Sequence, residues 1–230
     1  MASPTTTVTI AGLTGKLALL IAKHLLKTPG VHINGLCRTP SKLPGSLATN
    51  PRVTIFQATA TDTDQIRSAL RNASVAICCY LGDPTVMVAG QKTLIDACIA
   101  EKVPRYIASD WSLDYRRLEL GDLPSKDPMK HIAAYLDERK DQIRGVHVLN
   151  ACFLEAPWRS LWDAQGQNFK YWGTGEEKWE LTSYGTAAEF TARVALDPEA
   201  TGYLSCKSDV CRIRVRSVEE CAVLILSSPR

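Results

Sequence analysis

Over its first two-thirds the chain alternates short apolar runs with longer amphipathic stretches. Residues 8–11, 31–37, 53–57, 75–81, 105–109 and 146–150 are short and mostly apolar, as expected of strands covered on both faces. Between the first two, residues 16–26 place Leu17, Leu20, Ile21 and Leu25 on one helical face, and Thr28-Pro29-Gly30 stops that helix. Further helices are predicted over residues 64–70, 85–101 and 130–142. Regular alternation of apolar strands with helices predicts an α/β fold with a parallel sheet. Right-handed crossovers then make that sheet doubly wound.

From about Ala151 the rhythm changes. Trp158, Trp162, Trp172 and Trp179 accompany short predicted strands near Tyr171-Trp172 and over residues 203–206, with one long helix over residues 184–196. Residues 1–153 therefore read as a first domain, and residues 154–230 as a smaller substrate-side lobe packed on it, the two forming a single compact unit. Ser217-Val218-Glu219-Glu220 has the spacing of a capping box and opens a last predicted helix.

Composition narrows the function classes. The 230 residues are 45% hydrophobic and 22% charged, enough for a full core and contrary to disorder. A net charge of +3, from 27 basic and 24 acidic residues spread along the chain, argues against a nucleic-acid surface. Arg212-Ile213-Arg214-Val215-Arg216 alternates strictly and reads as a strand with one solvated face. No apolar run approaches the roughly 18 residues of a membrane span, and the first residues do not form a secretory leader. A cytoplasmic protein is expected. The 8 cysteines lack paired spacing and read as buried, reduced thiols, and no metal site is expected.

The most informative stretch is Val8-Thr9-Ile10-Ala11-Gly12-Leu13-Thr14-Gly15-Lys16-Leu17-Ala18. An apolar strand runs into Gly12, and a helix opens after Gly15. Such a turn gathers backbone N–H groups at a positive helix end, which suits a pyrophosphate. Its spacing is G-x-x-G-x-x-A rather than G-x-G-x-x-G, but it occupies the first βα turn, where a dinucleotide belongs. After the second strand come Arg38 and Lys42, with no acid at the strand end. Two cations in place of an acid favour a 2′-phosphate, hence NADP over NAD.

These residues, with several further segments, resemble the NmrA-like and isoflavone-reductase-like branch of the atypical short-chain dehydrogenase/reductases. The glycine loop matches the opening motif, with Ala18 where many members carry glycine, and Arg38 matches a basic residue after strand two. Ala108-Ser109-Asp110-Trp111 is similar to the segment after strand five, and Lys130 falls on the family's helix lysine. Asn150-Ala151-Cys152-Phe153 matches an NCF segment with one residue inserted. Ala58-Thr59 departs from a common Gly-Asp, and no Tyr-x-x-x-Lys pair is present.

The resemblance runs from Thr6 to about Val223 and implies a Rossmann, NAD(P)-binding fold. It implies cofactor contacts from Gly12, Leu13, Thr14, Gly15, Lys16 and Leu17, from Arg38, Lys42 and Thr59, and from Tyr80, Leu81 and Gly82. Ser109, Asp110, Lys130, Cys152 and Phe153 complete the implied set. Lys130 is the implied proton-transfer group, with Tyr135 and Ser109 as assistants. Relatives continue beyond the helix at Ser217, so the substrate pocket is expected to be open or completed by a partner chain, and self-association stays open. The polar segment 112–129 reads equally as a solvated connection and as a lid.

The implied activity is an NADP-dependent reductase of a small aromatic or alkaloid-like secondary metabolite. Two alternatives stay open: the same fold and cofactor serving a cyclisation or isomerisation, and a dinucleotide-sensing regulator. Lys130 favours the enzyme, because sensor-like members tend to lack it.

Overall fold

A computed structural model describes residues 6–155, 162–163, 168–169, 177–206 and 209–212. In chain order the first strands and helices are β1 (Thr6–Ala11), α1 (Lys16–Leu25), β2 (Val31–Cys37), α2 (Gly45–Ala48), β3 (Val53–Gln57), α3 (Thr63–Leu70) and β4 (Val75–Cys78). Then come α4 (Gln91–Ala100), β5 (Arg105–Ile107), α5 (Asp127–Asp137), β6 (Arg144–Leu149) and β7 (Cys152–Phe153). They are followed by β8 (Trp162–Asp163), β9 (Asn168–Phe169), β10 (Lys178–Thr182), α6 (Tyr184–Leu196), β11 (Gly202–Ser205) and β12 (Asp209–Arg212).

A seven-stranded sheet has the order β3-β2-β1-β4-β5-β6-β11, and every pairing in it is parallel. This is the doubly wound Rossmann arrangement, in which the strand order reverses between β1 and β4. On one face, Val8, Ile10, Ile33, Val146 and Val148 pack with α1 and α6. On the other, Ala11, Leu36, Ala76 and Tyr106 pack with Ile66, Leu94, Ile95, Ile132 and Leu136 of α3, α4 and α5. Buried polar groups lock the layers. Thr9 Oγ1 and Asn34 Nδ2 each donate to the Ala69 carbonyl at 2.8 Å, satisfying an oxygen at the end of α3. Arg105 donates to Val194 O at 3.0 Å and Ala195 O at 2.6 Å, doing the same for α6.

The alternating pattern located the strands well and the element ends less well. The strand expected over 75–81 stops at Cys78, because Cys79 makes a last bond to Ala11 O and the chain then turns over the glycine loop. The strand expected over 105–109 ends at Ile107, and the one over 146–150 spans Arg144–Leu149. The helix expected over 85–101 begins as a wide π turn, Thr85–Gly90, before α4. The helix expected over 130–142 is instead Asp127–Asp137: Pro128 suits its first turn, and residues 138–143 close it in successive turns.

The largest difference concerns the expected lobe. Its long helix, α6, lies on the main sheet beside α1, and its strand β11 is the sheet's seventh member. Ala187, Ala188, Ala192 and Ala195 are buried small residues that let α6 approach α1 closely. Residues on both sides of position 153 thus share one sheet and one core. Outside the main sheet, β7, β10 and β12 form a second small sheet, and β8 pairs with β9. The strand expected at Tyr171-Trp172, Trp158, the alternation beyond Arg212 and the helix opening at Ser217 lie outside the described residues. Among the described residues no helix is long and apolar enough to cross a membrane. Cys37, Cys78, Cys98 and Cys206 are buried free thiols.

Candidate functional site

At the switch point, Gly12 has φ +83°, and a Cβ there would stand 2.7 Å from the Cys79 carbonyl oxygen, so only glycine fits. The Gly12 and Leu13 amides both donate to Leu36 O, at 2.9 and 3.0 Å, and Gly15 N donates to Gly12 O at 2.9 Å. Leu13 is buried against Gly35, where a Cβ would collide with it. Gly15 caps α1 without a side-chain bond, so the amides of Thr14, Lys16 and Leu17 have no acceptor among the described residues. Free amides at the start of a ten-residue helix form a cradle that fits a pyrophosphate.

Cys37 is buried at the end of β2, and the exposed Arg38 follows. The Arg38 carbonyl accepts from Gln57 Nε2 at 3.2 Å, while its guanidinium has no acid partner among the described residues. Lys42 is exposed in a 3-10 turn, Pro40–Lys42, and Thr59 is exposed with its hydroxyl 3.1 Å from that of Thr61. Tyr80 is half-buried near Gly12 and Gly90, Leu81 is 92% exposed, and Gly82 is exposed. The cation pair, the exposed Leu81 and the cradle thus sit on strand ends at the same edge of the sheet.

At the ends of β5 and β6 the side chains behave differently. Ser109 Oγ donates to Tyr80 O at 2.7 Å and its amide donates to Gln91 Oε1 at 3.1 Å, which ties β5 to β4 and to α4. Its hydroxyl is a brace, and the expected assistance to proton transfer finds no support in this geometry. Asp110 turns inward, where Oδ2 is 2.6 Å from His147 Nδ1 and accepts from Tyr115 OH at 3.1 Å. It is buried and is not presented as a cofactor contact. Burial, reinforced by the Asp110 charge, raises the Tyr115 phenol and keeps it a donor. Asp110 Oδ1, Ser112 Oγ and both amide atoms of Asn150 are buried without a partner among the described residues. The backbone is unusual at the same place, with φ +37° at Trp111 and +59° at Ala151.

Cys152 and Phe153 lead from β6 toward the glycine loop. The Phe153 ring stacks on Tyr184 with centroids 3.9 Å apart, and Lys16 Nζ lies 4.0 Å from the centre of the Tyr184 ring. Glu155 holds the Tyr184 amide at 3.0 Å. Lys126, which the sequence did not single out, is half-buried before α5, and burial lowers its pKa.

Lys130 lies in the first turns of α5. It lines a groove of about 350 Å³ with Tyr115, Arg116, His131 and Tyr203, on the flank of the sheet next to β11. Arg116 is paired with Asp114 at 2.6 Å and lies over the Tyr203 ring, and Tyr203 stacks on His147. Tyr135 is not brought to Lys130. Its hydroxyl donates to Asp96 of α4 at 2.7 Å, and Lys92 and Arg139 lie against its ring. Five positions apart on a helix, Lys130 and Tyr135 point in directions about 140° apart. Tyr135 braces α5 against α4. Sequence reasoning placed Asp110 at the cofactor and missed its cluster with His147 and Tyr115, which come from separate segments without a shared motif.

A family model described as NAD(P)H-binding matches residues 12–154. No curated protein matches the chain by sequence. Among solved structures, isoflavone reductase is 16% identical, with 88% of this chain and 69% of that one covered at a TM-score of 0.68. The leucoanthocyanidin reductase–NADPH complex of Vitis vinifera is 15% identical, with 95% and 72% covered and a TM-score of 0.70. Triphenylmethane reductase of Citrobacter sp., complexed with NADP(H), is 16% identical, with 97% and 76% covered and a TM-score of 0.71. At these identities the likeness is one of fold.

Proposed function

Because this chain belongs to the NAD(P)H-binding family, we propose that it is an NADP-dependent reductase of a small aromatic or alkaloid-like metabolite. The observation that carries the reading is the first βα turn: a glycine-built cradle of free amides with Arg38 and Lys42, and no acid, at the neighbouring strand end. The amides of Thr14, Lys16 and Leu17 would hold the pyrophosphate, and Arg38 with Lys42 the 2′-phosphate. Lys16, held over Tyr184, adds a cation at the rim of the cradle. Leu81 would lose its exposure against the bound cofactor. The aromatic substrate class is supported by the fold neighbours named as reductases of isoflavone, leucoanthocyanidin and triphenylmethane compounds.

Bound NADPH would supply hydride, and the protein must then orient the acceptor, exclude water and provide a proton. The family resemblance nominates Lys130, in the first turns of α5, for that proton. The test is titration with NADPH and NADH by fluorescence, followed by a panel of aromatic ketones, enones and imines with NADPH oxidation and product measured together. Preferential NADPH binding with one product per NADPH consumed supports the reductase. Product without oxidation would replace it by an isomerase or cyclase, and binding without turnover by a sensor.

A further inference from the structure

We infer that the groove lined by Lys130 is a binding site for an aromatic carboxylate, with the Lys130 ammonium holding its acid group. The inference goes beyond the reductase reading, since it requires neither cofactor nor hydride transfer. It gives Lys130 a binding role in place of the proton-transfer role that the resemblance implies.

One side of the groove is built in advance of any ligand. Tyr203 of β11 stacks on His147, with centroids 4.5 Å apart and planes 18° apart. His147 is itself fixed, its Nδ1 2.6 Å from Asp110 Oδ2. Tyr115, a buried side chain that also lines the groove, donates to the same oxygen at 3.1 Å. The Arg116 guanidinium lies 4.8 Å from the centre of the Tyr203 ring, and Asp114 holds it through two bonds of 2.8 and 2.6 Å. A ring held in this way loses little freedom when a ligand binds against it.

Charge then selects the ligand. Arg116 is answered by Asp114, but Lys130 has no acid partner among the described residues. Asp127, three positions earlier on α5, accepts from the Gly121 amide at 3.1 Å. His131 lines the groove beside Lys130, and Ala133, Ala134 and Leu120 make the rest of the wall apolar. Leu120 is 58% exposed and Tyr203 37%, so two large apolar side chains left open to solvent converge on this groove. An unanswered cation beside exposed apolar surface is complementary to a molecule with one acid group and a flat apolar body. The volume of about 350 Å³ lies near the lower end of the small-molecule range of roughly 300–1,000 Å³, which suits one or two rings rather than a dinucleotide. No residue of the glycine loop or of β7 lines the groove, so it is distinct from the phosphate cradle.

Isothermal titration of the full chain with cinnamate, cinnamamide and acetate, with and without saturating NADPH, tests the inference. Cinnamate is expected to bind with a Kd of about 1 mM or tighter. Cinnamamide keeps the ring without the charge and acetate the charge without the ring, and each should bind at least about tenfold more weakly. Ala134→Glu places a carboxylate four positions after Lys130 at an exposed helix position, where it pairs with the ammonium. It should weaken cinnamate binding about tenfold or more, with NADPH affinity unchanged. Lys130→Met should weaken cinnamate binding to the same degree by removing the charge. Absence of cinnamate binding, equal affinity for either analogue, unchanged cinnamate affinity in either variant, or displacement of NADPH by cinnamate overturns the inference and leaves the reductase reading standing. Failure of NADPH to bind overturns the reductase reading alone.

Discussion

The two ends of the crevice are built on different principles. At the β1–α1 turn the backbone is the site: Gly12 takes the left-handed conformation, Leu36 O accepts from two amides, and the remaining amides are left on the open side. Where β5 and β6 end, the left-handed positions are Trp111 and Ala151, and buried side-chain atoms of Asp110, Ser112 and Asn150 have no partners among the described residues. A backbone cradle serves a ligand common to many proteins, and neighbouring side chains can change around it. The opposite end holds particular side chains at a cost in strain and desolvation.

Removing His147 should give the largest effect. His147→Ala removes the 2.6 Å partner of Asp110 Oδ2 and the ring stacked on Tyr203, and leaves Asp110 buried with Tyr115 as its one remaining side-chain partner among the described residues; a buried polar group left short of a partner costs about 1–3 kcal/mol. Urea unfolding of the variant should show that loss, with NADPH affinity of the folded fraction unchanged. A cost under about 1 kcal/mol would mean that the β5–β6 end is not held by this cluster and would erase the contrast between the two ends.

Gly12→Ala comes next and acts on the other end. The added Cβ meets the backbone of Cys79, which cannot swing aside as a side chain would, and the residue must keep a positive φ. A stability loss of about 1–3 kcal/mol is expected, together with a loss of NADPH binding, since the turn cannot relax without moving the cradle. Unchanged NADPH affinity would show that the loop amides do not hold the cofactor.

The same contrast explains how much was legible beforehand. The phosphate end could be read because glycine spacing, strand position and helix start are adjacent along the chain, and a local conformation leaves a local pattern. Arg38 and Lys42 were readable for the same reason. Asp110, by contrast, sits in a segment resembling a cofactor contact, yet a single side-chain direction decides between crevice and core. His147, 37 positions away, and Tyr115 draw it inward. The place of α6 was also illegible, since its alanine face fits a lobe and a sheet equally well in one dimension; contact with α1 decides it. Tyr135 looked close to Lys130 in sequence but is turned toward α4 by helical geometry.

Arg38→Ala sharpens the account of the phosphate end without touching its fold. The guanidinium is exposed and unpaired with any acid among the described residues, so its removal should leave stability unchanged. NADPH affinity should fall about tenfold to thirtyfold, the scale of one charge-assisted contact to a phosphate, with NADH affinity unaffected. Equal loss for both nucleotides would place Arg38 on the pyrophosphate instead.

Tyr135→Phe should have the smallest effect. The substitution removes only the hydroxyl that donates to Asp96 at 2.7 Å; the ring stays, with Arg139 3.4 Å and Lys92 4.7 Å from its centre. Burial and the bond to Asp96 raise the phenol's pKa, so near neutral pH the group is an uncharged donor in the variant's parent and no titration is lost. A partly exposed hydrogen bond of this kind contributes at most about 1 kcal/mol, because water replaces much of it. Stability should fall by that amount or less, while NADPH affinity and kcat stay within twofold. Tyr135→Ala should cost more, because both cations lose the ring they cover. A tenfold drop in kcat for Tyr135→Phe, with stability intact, would return this hydroxyl to the reaction. It would also require α5 to turn between the free and the cofactor-bound protein, since in the structure the hydroxyl is committed to α4 on the side away from Lys130.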